Sequence, residues 1–202
     1  MRVATDHYVA FEGIEGVGKS TVAAAVAATL RDRGDEAVEV REPGGTATGE
    51  RIRSILLGDG TLPAPWTEAL LFAAARAQLA VEVVGPALAR GAWVISDRSV
   101  YSSLAYQGVG RGLGIDAVRA VNEPGLGGLW PGRVVVLDAP AELGMARQGA
   151  PDRIGGEGPE FMERVREAFL RLVAEEPGRF VVVDATRPLD EVVAAVVAEV
   201  LG

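Results

Sequence analysis

Short apolar runs alternate with longer stretches of helical periodicity along the whole chain. Tyr8 to Phe11, Ala37 to Val40, Ala92 to Ser96, Val134 to Leu137 and Phe180 to Val183 are runs of four or five residues rich in β-branched or aromatic side chains. Such runs suit strands buried on both faces of a parallel sheet. Between them lie helical patterns over Ser20 to Arg33, Thr48 to Leu57, Thr67 to Arg90, Asp116 to Glu123, Glu160 to Ala174 and Leu189 to Val200. This βαβ succession predicts an α/β fold of three layers, a five-stranded parallel sheet covered by helices on both faces. There is no fixed-period repeat or low-complexity tract, and Gly/Pro punctuation recurs between segments instead of marking one linker, so residues 1–202 read as one domain.

In a sheet of this kind ligands gather beyond the carboxyl ends of the strands. The residues that follow the strands are Gly13 to Ser20, then Glu42-Pro43-Gly44-Gly45-Thr46, Asp97-Arg98, Asp138, and Asp184-Ala185-Thr186. Glycine-rich and polar chemistry therefore lies where the rule places a site.

Composition narrows the chemistry. With 49% hydrophobic and 24% charged residues among 202, the chain has material for a packed core and too little polar bias for disorder. Apolar runs such as Thr21 to Leu30 and Val192 to Val197 fall short of the roughly 20 residues that span a bilayer, and the N-terminus lacks a signal-peptide pattern. The expectation is a soluble, cytoplasmic protein with no membrane partner. The absence of cysteine excludes disulfides, thiolate metal sites and cysteine nucleophiles, and a single histidine excludes a histidine metal cluster. Any metal must sit on oxygen ligands. The net charge of −8 argues against a nucleic-acid partner, which needs a concentrated cationic face, but leaves room for a small phosphate ligand in a local basic pocket. His7 precedes the first periodic segment and reads as a frayed terminal residue with no role.

The strongest motif is Gly13-Ile14-Glu15-Gly16-Val17-Gly18-Lys19-Ser20, which fits G-x-x-x-x-G-K-[ST] between a strand and a helix. The glycines let backbone N–H groups turn onto phosphate oxygens, and the helix beginning near Lys19 adds its positive dipole end. Gly13, Gly16, Val17, Gly18, Lys19, Ser20 and Thr21 form the expected cradle for the phosphates of a nucleoside triphosphate. Lys19 would reach the β- and γ-phosphates, and the Ser20 hydroxyl would bind Mg²⁺. Asp97 ends an apolar run, so its carboxylate would emerge beside this loop, in a position to organise the same Mg²⁺. A phosphate loop alone does not separate a kinase from a GTPase, a motor or a regulatory ATP-binding module.

Four further elements, Arg41-Glu42-Pro43-Gly44-Gly45-Thr46, Phe72-Ala73-Ala74-Ala75-Arg76, Asp97-Arg98 with Tyr101-Ser102-Ser103-Leu104-Ala105-Tyr106-Gln107-Gly108, and Asp152-Arg153-Ile154, occur in this order. With them the chain closely resembles the thymidylate (dTMP) kinases from about Tyr8 to Leu201. The resemblance implies a P-loop kinase that transfers the γ-phosphoryl group of Mg-ATP to dTMP, and a homodimer formed through long helices such as Thr67 to Arg90. It implies that Phe72 stacks on thymine, with Arg76 one helical turn later on the same face meeting the base and the acceptor phosphate region. Arg98 and Arg53 correspond to grips on the dTMP phosphate, Glu15 to an acid facing the 3′-hydroxyl, Ser103 to a small polar residue at the thymine edge, and Tyr106 to a tyrosine against the 2′ side of the sugar. Gln107 joins this acceptor set. On residue pattern alone, Phe72 could equally be core packing, and Tyr101 and Tyr106 half-buried helix aromatics.

The segment Arg147 to Glu160 is rich in Gly and Pro and has the character of a mobile lid, about 148–160. By resemblance Arg153 is its transition-state arginine and Arg147 lies near the adenine and phosphates of ATP. Relatives carry more arginines before the Asp-Arg pair and a glutamate after Arg153-Ile154, where this chain has Gln148-Gly149-Ala150 and Gly155-Gly156. Val17 stands where some relatives place an arginine in the phosphate loop. Asp184-Ala185-Thr186 resembles an adenine-side loop, or else is a turn in which Thr186 caps the next helix. Glu163, Arg164, Arg166 and Glu167 read as a solvated helix face. The rival functions are another nucleoside or nucleotide kinase with a different acceptor base, and a non-catalytic ATP-binding module.

Overall fold

The computed structural model describes residues 4–58, 63–149 and 153–201. Five strands, β1 (Tyr8–Glu12), β2 (Ala37–Arg41), β3 (Trp93–Asp97), β4 (Arg133–Asp138) and β5 (Phe180–Asp184), form one parallel sheet in the order β2-β3-β1-β4-β5. The strands start and end within one residue of the apolar runs. Register pairs Phe11 with Asp97 on one side and Glu12 with Val136 on the other, so the carboxyl ends of the three central strands lie level. The chain leaves β1 towards β2, returns to β3, and then crosses to β4, which puts the loop after β1 at the point where the winding reverses.

Successive side chains of β1 point to opposite faces. Tyr8, with Val40 and Val94, packs against Val84, Ala87 and Leu88; Val9 and Phe11, with Ile95, share a cluster with Val22, Val26 and Leu30. Burial on both faces holds for β1, β3 and β4 but not at the edges. There β2 and β5 alternate between buried and exposed positions, with Val182 43% exposed, because an edge strand is covered by fewer helices.

The helices are α1 (Lys19–Asp32), α2 (Ala47–Leu57), α3 (Pro65–Leu79), α4 (Gly85–Ala89), α5 (Val100–Ser103), α6 (Ile115–Leu126), α7 (Ala141–Arg147), α8 (Pro159–Glu175) and α9 (Leu189–Leu201). A π-helical segment, Ala80–Val84, joins α3 to α4. Pro86 has no N–H to offer the preceding turn, and the wider register absorbs that loss. A second π segment, Leu104–Gly110, continues α5.

Two expectations are corrected here. Helix from Pro65 to Ala89 is continuous over 25 residues with an 18-residue window of mean hydropathy 1.3, so this run is long and apolar enough by composition to span a bilayer. It is nonetheless part of the fold, because its Glu68 and Arg76 are held in ion pairs with other elements and α3 packs on α2 and α6. His7 is not frayed: its ring stacks on Trp93 at 4.2 Å between centroids, and its Nδ1 lies 3.2 Å from the Gly91 carbonyl.

Candidate active site

The loop between β1 and α1 has the geometry of a phosphate cradle. Gly16 has φ 74°, and a Cβ there would lie 1.9 Å from the carbonyl oxygen of Gly144 on α7, so no side chain fits. Gly18 caps α1 at φ 92° with no side-chain hydrogen bond, and the first turn of α1 carries no acidic residue. The free N–H groups and positive dipole end of α1 are therefore left to a ligand. Ser20 and Thr21 are exposed, while the Val17 side chain is buried in the core, leaving its backbone as the part that can face phosphate.

Lys19 is 7% exposed and donates from Nζ to the Ile14 carbonyl at 2.6 Å. Burial, reinforced by the nearby Arg98 charge, pulls its pKa down to about 8. Ser20 Oγ lies 2.5 Å from Asp97 Oδ2, so the two oxygen donors expected at a hard cation are side by side. No group of three or more His, Cys, Asp or Glu suited to a metal exists among the described residues.

Next to this loop opens a half-open cavity lined by residues that include Glu15, Arg53, Phe72, Arg76, Arg98, Ser103, Tyr106 and Gln107. All eight acceptor-side residues expected from the sequence thus meet in one space, with Phe72 and Arg98 on the same side of the molecule. Arg98 has φ 73°, a left-handed conformation that costs a non-glycine residue about 1–3 kcal/mol. It is secured by its N–H on the Phe11 carbonyl at 3.0 Å and by Ser96 Oγ on its own carbonyl. Its guanidinium donates to Glu15 Oε1 at 2.7 Å, Ser102 Oγ at 3.0 Å and the Gly13 carbonyl at 3.2 Å. Tyr106 donates its hydroxyl to Glu15 Oε2 at 2.7 Å.

The electrostatics follow from these contacts. Burial would raise the Glu15 carboxyl, but Arg98, Lys19 and the Tyr106 hydroxyl outweigh it and hold the group below its ordinary value. Tyr106 is pushed well above its ordinary value by burial, with Glu15 adding to the rise, so it stays a neutral donor. Ser103 Oγ is fully buried at the cavity wall with no hydrogen-bond partner among the described residues.

Four carboxylates and amides that the sequence reading did not assign hold these side chains in place. Arg76, 3% exposed, donates to Glu42 Oε2 at 2.6 Å, Asn122 Oδ1 at 2.5 Å and the Ser99 carbonyl at 3.1 Å. Glu12, fully buried, accepts from Ser99 Oγ at 2.7 Å and Ser102 Oγ at 2.6 Å, fixing the start of α5 beside Arg98. Burial pushes both Glu12 and Glu42 up, and the bonds described above only partly offset it. Glu68 receives Gln107 Nε2 at 2.8 Å. Thr46 accepts from Gly49 N–H at 2.9 Å and caps α2, so the end of the Glu-Pro-Gly-Gly-Thr loop is structural. Arg53 donates to the Pro43 carbonyl at 2.8 Å within the same loop.

The remaining expected residues fall on the other rim. Arg147 donates to the Ala185 carbonyl at 2.7 Å, which joins the two adenine-side candidates. Thr186 Oγ and its N–H both donate to Asp184 Oδ1, at 2.6 and 2.9 Å, so the hydroxyl closes the turn after β5 and is not seen to cap α9. Asp152 lies outside the described residues. Arg153 donates to the carbonyls of Ile55 and Leu56 at the end of α2, on the acceptor side. Tyr101 is a core residue, edge-on to Trp130 and Phe180. The α8 charges are not all solvated: Arg166 binds both carboxylate oxygens of Asp138, at 2.7 and 2.9 Å, because the carboxyl end of β4 needs a counterion there.

A parallel sheet wound about β1, a glycine loop on an uncapped helix and an adjoining cavity lined by arginines and aromatics define a P-loop phosphotransferase of the nucleotide-kinase class. The sequence profile of the family described as Thymidylate kinase matches residues 11–196. The chain is 46% identical to the thymidylate kinase of Deinococcus radiodurans over 196 residues, covering 96% of this chain and 95% of that protein. It is 46% identical to that of Leuconostoc mesenteroides over 92% and 91% of the two chains, and 48% identical to that of Pelotomaculum thermopropionicum over 89% and 86%. The chain belongs to the thymidylate kinase family.

Proposed function

We propose that this chain transfers the γ-phosphoryl group of ATP to dTMP, giving dTDP and ADP, with both nucleotides held above the carboxyl rim of the sheet. The observation that carries this reading is that Glu15, a residue of the phosphate loop, pairs with Arg98 inside the cavity that also contains Phe72, Arg76 and Tyr106. An ATP sensor has no use for such a second pocket.

In this reading the α1 N-terminus and Lys19 bind the donor phosphates, with Arg147 and the Thr186 turn beside the adenine. Ser20 and Asp97 would hold Mg²⁺, which supplies charge neutralisation on the phosphate oxygens. Phe72 stacks on the base, Arg76, Ser103 and Gln107 face its edge, and Arg98 and Arg53 grip the acceptor phosphate. Glu15 is ionised and accepts from the sugar 3′-hydroxyl, while Arg98 stands between its charge and the phosphate. Tyr106 fills the 2′ side. The acceptor oxygen is already anionic near neutral pH, so no side-chain general base is needed. Arg98 and Lys19 lower the cost of the charge that builds in the transition state, and Arg153 would add to them on leaving the carbonyls at the end of α2. The chain acts as one domain in the cytoplasm. We assign its dimer face to α3, whose Trp66 and Leu70 are exposed along with Val81 beyond it.

A coupled assay for ADP across dTMP, dUMP, dCMP, dGMP and thymidine tests the reading. Turnover with dTMP at least about tenfold above the others in kcat/KM is expected, since a site that matches one base edge leaves buried groups unpaired with the rest. Preference for another acceptor would move the chain to a different specificity, and ATP binding without turnover would make it a sensor.

A further inference from the structure

Arg111 follows the π segment and does not line the cavity, yet it joins two of the residues that do. On one side its Nε and Nη2 donate to the two oxygens of Glu68 at 3.2 Å each. Glu68 is 1% exposed, and it also receives Gln107 Nε2 at 2.8 Å. A carboxylate accepts only, so Glu68 fixes the amide end of Gln107 towards itself and leaves the carbonyl end for the cavity. On the other side Arg111 pairs with Glu157 at 2.6 Å. Glu157 N–H donates to the Ile154 carbonyl at 3.2 Å, closing a turn that presents Ile154, 6% exposed, to the cavity. The guanidinium also lies over the Phe161 ring at 4.9 Å, which fixes its plane at the start of α8. The chain of contacts Gln107–Glu68–Arg111–Glu157–Ile154 thus begins and ends on walls of the same cavity.

We propose that Arg111 is a positioning residue for the acceptor site, setting Gln107 and the Ile154 turn in register through one guanidinium. The position after Ile154 is Gly155, followed by Gly156. That stretch has little conformational preference of its own, and Glu157 is the anchor that defines it. This role rests on the cavity being the dTMP site, so wild-type turnover of dTMP is measured first. Its absence would remove the functional reading itself, whereas its presence leaves the following comparison to decide the role of Arg111.

The experiment is a double-mutant cycle of Glu157→Gln and Arg111→Met, with kcat, both KM values and melting temperature measured for each variant. Glu157→Gln alone is expected to raise KM for dTMP about three- to tenfold, with KM for ATP within about twofold. Arg111→Met raises the dTMP value at least as much, and adding Glu157→Gln to it changes the value by less than about 1.5-fold. Arg111→Met leaves Glu68 buried without its cation. If that variant does not fold, Arg111→Lys takes its place in the cycle, because one ammonium cannot fork between two carboxylates. Effects that multiply, a KM for ATP that rises with that for dTMP, or a lowered melting temperature with both KM values unchanged would each overturn the proposal.

Discussion

At the glycine loop most groups that face a ligand belong to the backbone, with Lys19 and Ser20 the side chains among them, whereas the cavity is lined by side chains drawn from the loop itself, α2, α3, the end of β3, α5 and the π segment. The two halves are therefore stabilised differently. The backbone part of the donor half needs that nothing intrude, which Gly16 secures by lacking a Cβ where Gly144 approaches. The acceptor half brings charged groups together out of water, and each requires a counterpart: Arg76 has Glu42, Arg98 has Glu15, and Arg111 has Glu68. A site made of backbone is continuous in sequence, while one made of paired side chains is distributed over it. The halves meet at Glu15, which belongs to the loop by sequence and to the cavity by contact.

The largest effect is expected where that pairing is broken in the least accessible place. Arg76→Met leaves Glu42 buried, with Glu12 near it raising its pKa further. Loss of one partner from a buried pair costs about 3–5 kcal/mol, read as a fall in denaturant midpoint. A carboxyl raised in the folded state stabilises below its unfolded pKa and loses that contribution as pH rises through the folded one. The variant should therefore be more stable at pH 5 than at pH 8. A loss below about 1 kcal/mol, the size of an exposed pair, would mean that the network is not what holds the acceptor half together.

The extent to which this was legible in the sequence follows the same division. The strand ends and the phosphate loop could be read because apolar runs and spaced glycines are local signals. The seven-residue α7 was not among the expected helices, since Ala141–Arg147 is too short for periodicity to emerge and contains Gly144. The acceptor residues could be named only through family resemblance, and their partners Glu12, Glu68 and Asn122 were missed. These three lie on β1, α3 and α6, so no spacing relates them to Arg98, Gln107 or Arg76. A weaker signal did exist. Glu12 ends a strand that is otherwise Tyr-Val-Ala-Phe, and Glu68 and Arg76 lie in the apolar run of α3, where a charge must find a counterion.

A smaller effect should separate the halves functionally. Phe72→Ala removes a ring worth about 1–3 kcal/mol when a base stacks on it. Calorimetric titration should show dTMP affinity falling about 10- to 100-fold at the upper part of that range while ATP affinity holds within about twofold. Phe72 also packs against the core, so the melting temperature is recorded alongside. If ATP affinity falls in parallel with dTMP affinity, the two halves are not separable in the way the geometry indicates.

The smallest effect is a difference in proton uptake between the two ligands. In the free protein the Lys19 pKa lies at about 8, lowered by burial and by Arg98. Donor phosphates arriving at Nζ favour the charged form, so ATP binding raises that pKa and draws in a proton. At pH 8 roughly half of the free protein lacks this proton, and the uptake should be about half a proton; by pH 7 it should shrink to about a tenth. The phosphate second pKa near 6 contributes little at pH 8. On the acceptor side Arg98 is held above its already high ordinary pKa, its neighbours outweighing burial, and does not titrate in this range. Titrations in buffers of different ionisation enthalpy should therefore detect uptake with ATP and almost none with dTMP. Equal uptake for both would place Lys19 in contact with the acceptor as well, and the division between a backbone half and a side-chain half would fail at its central residue.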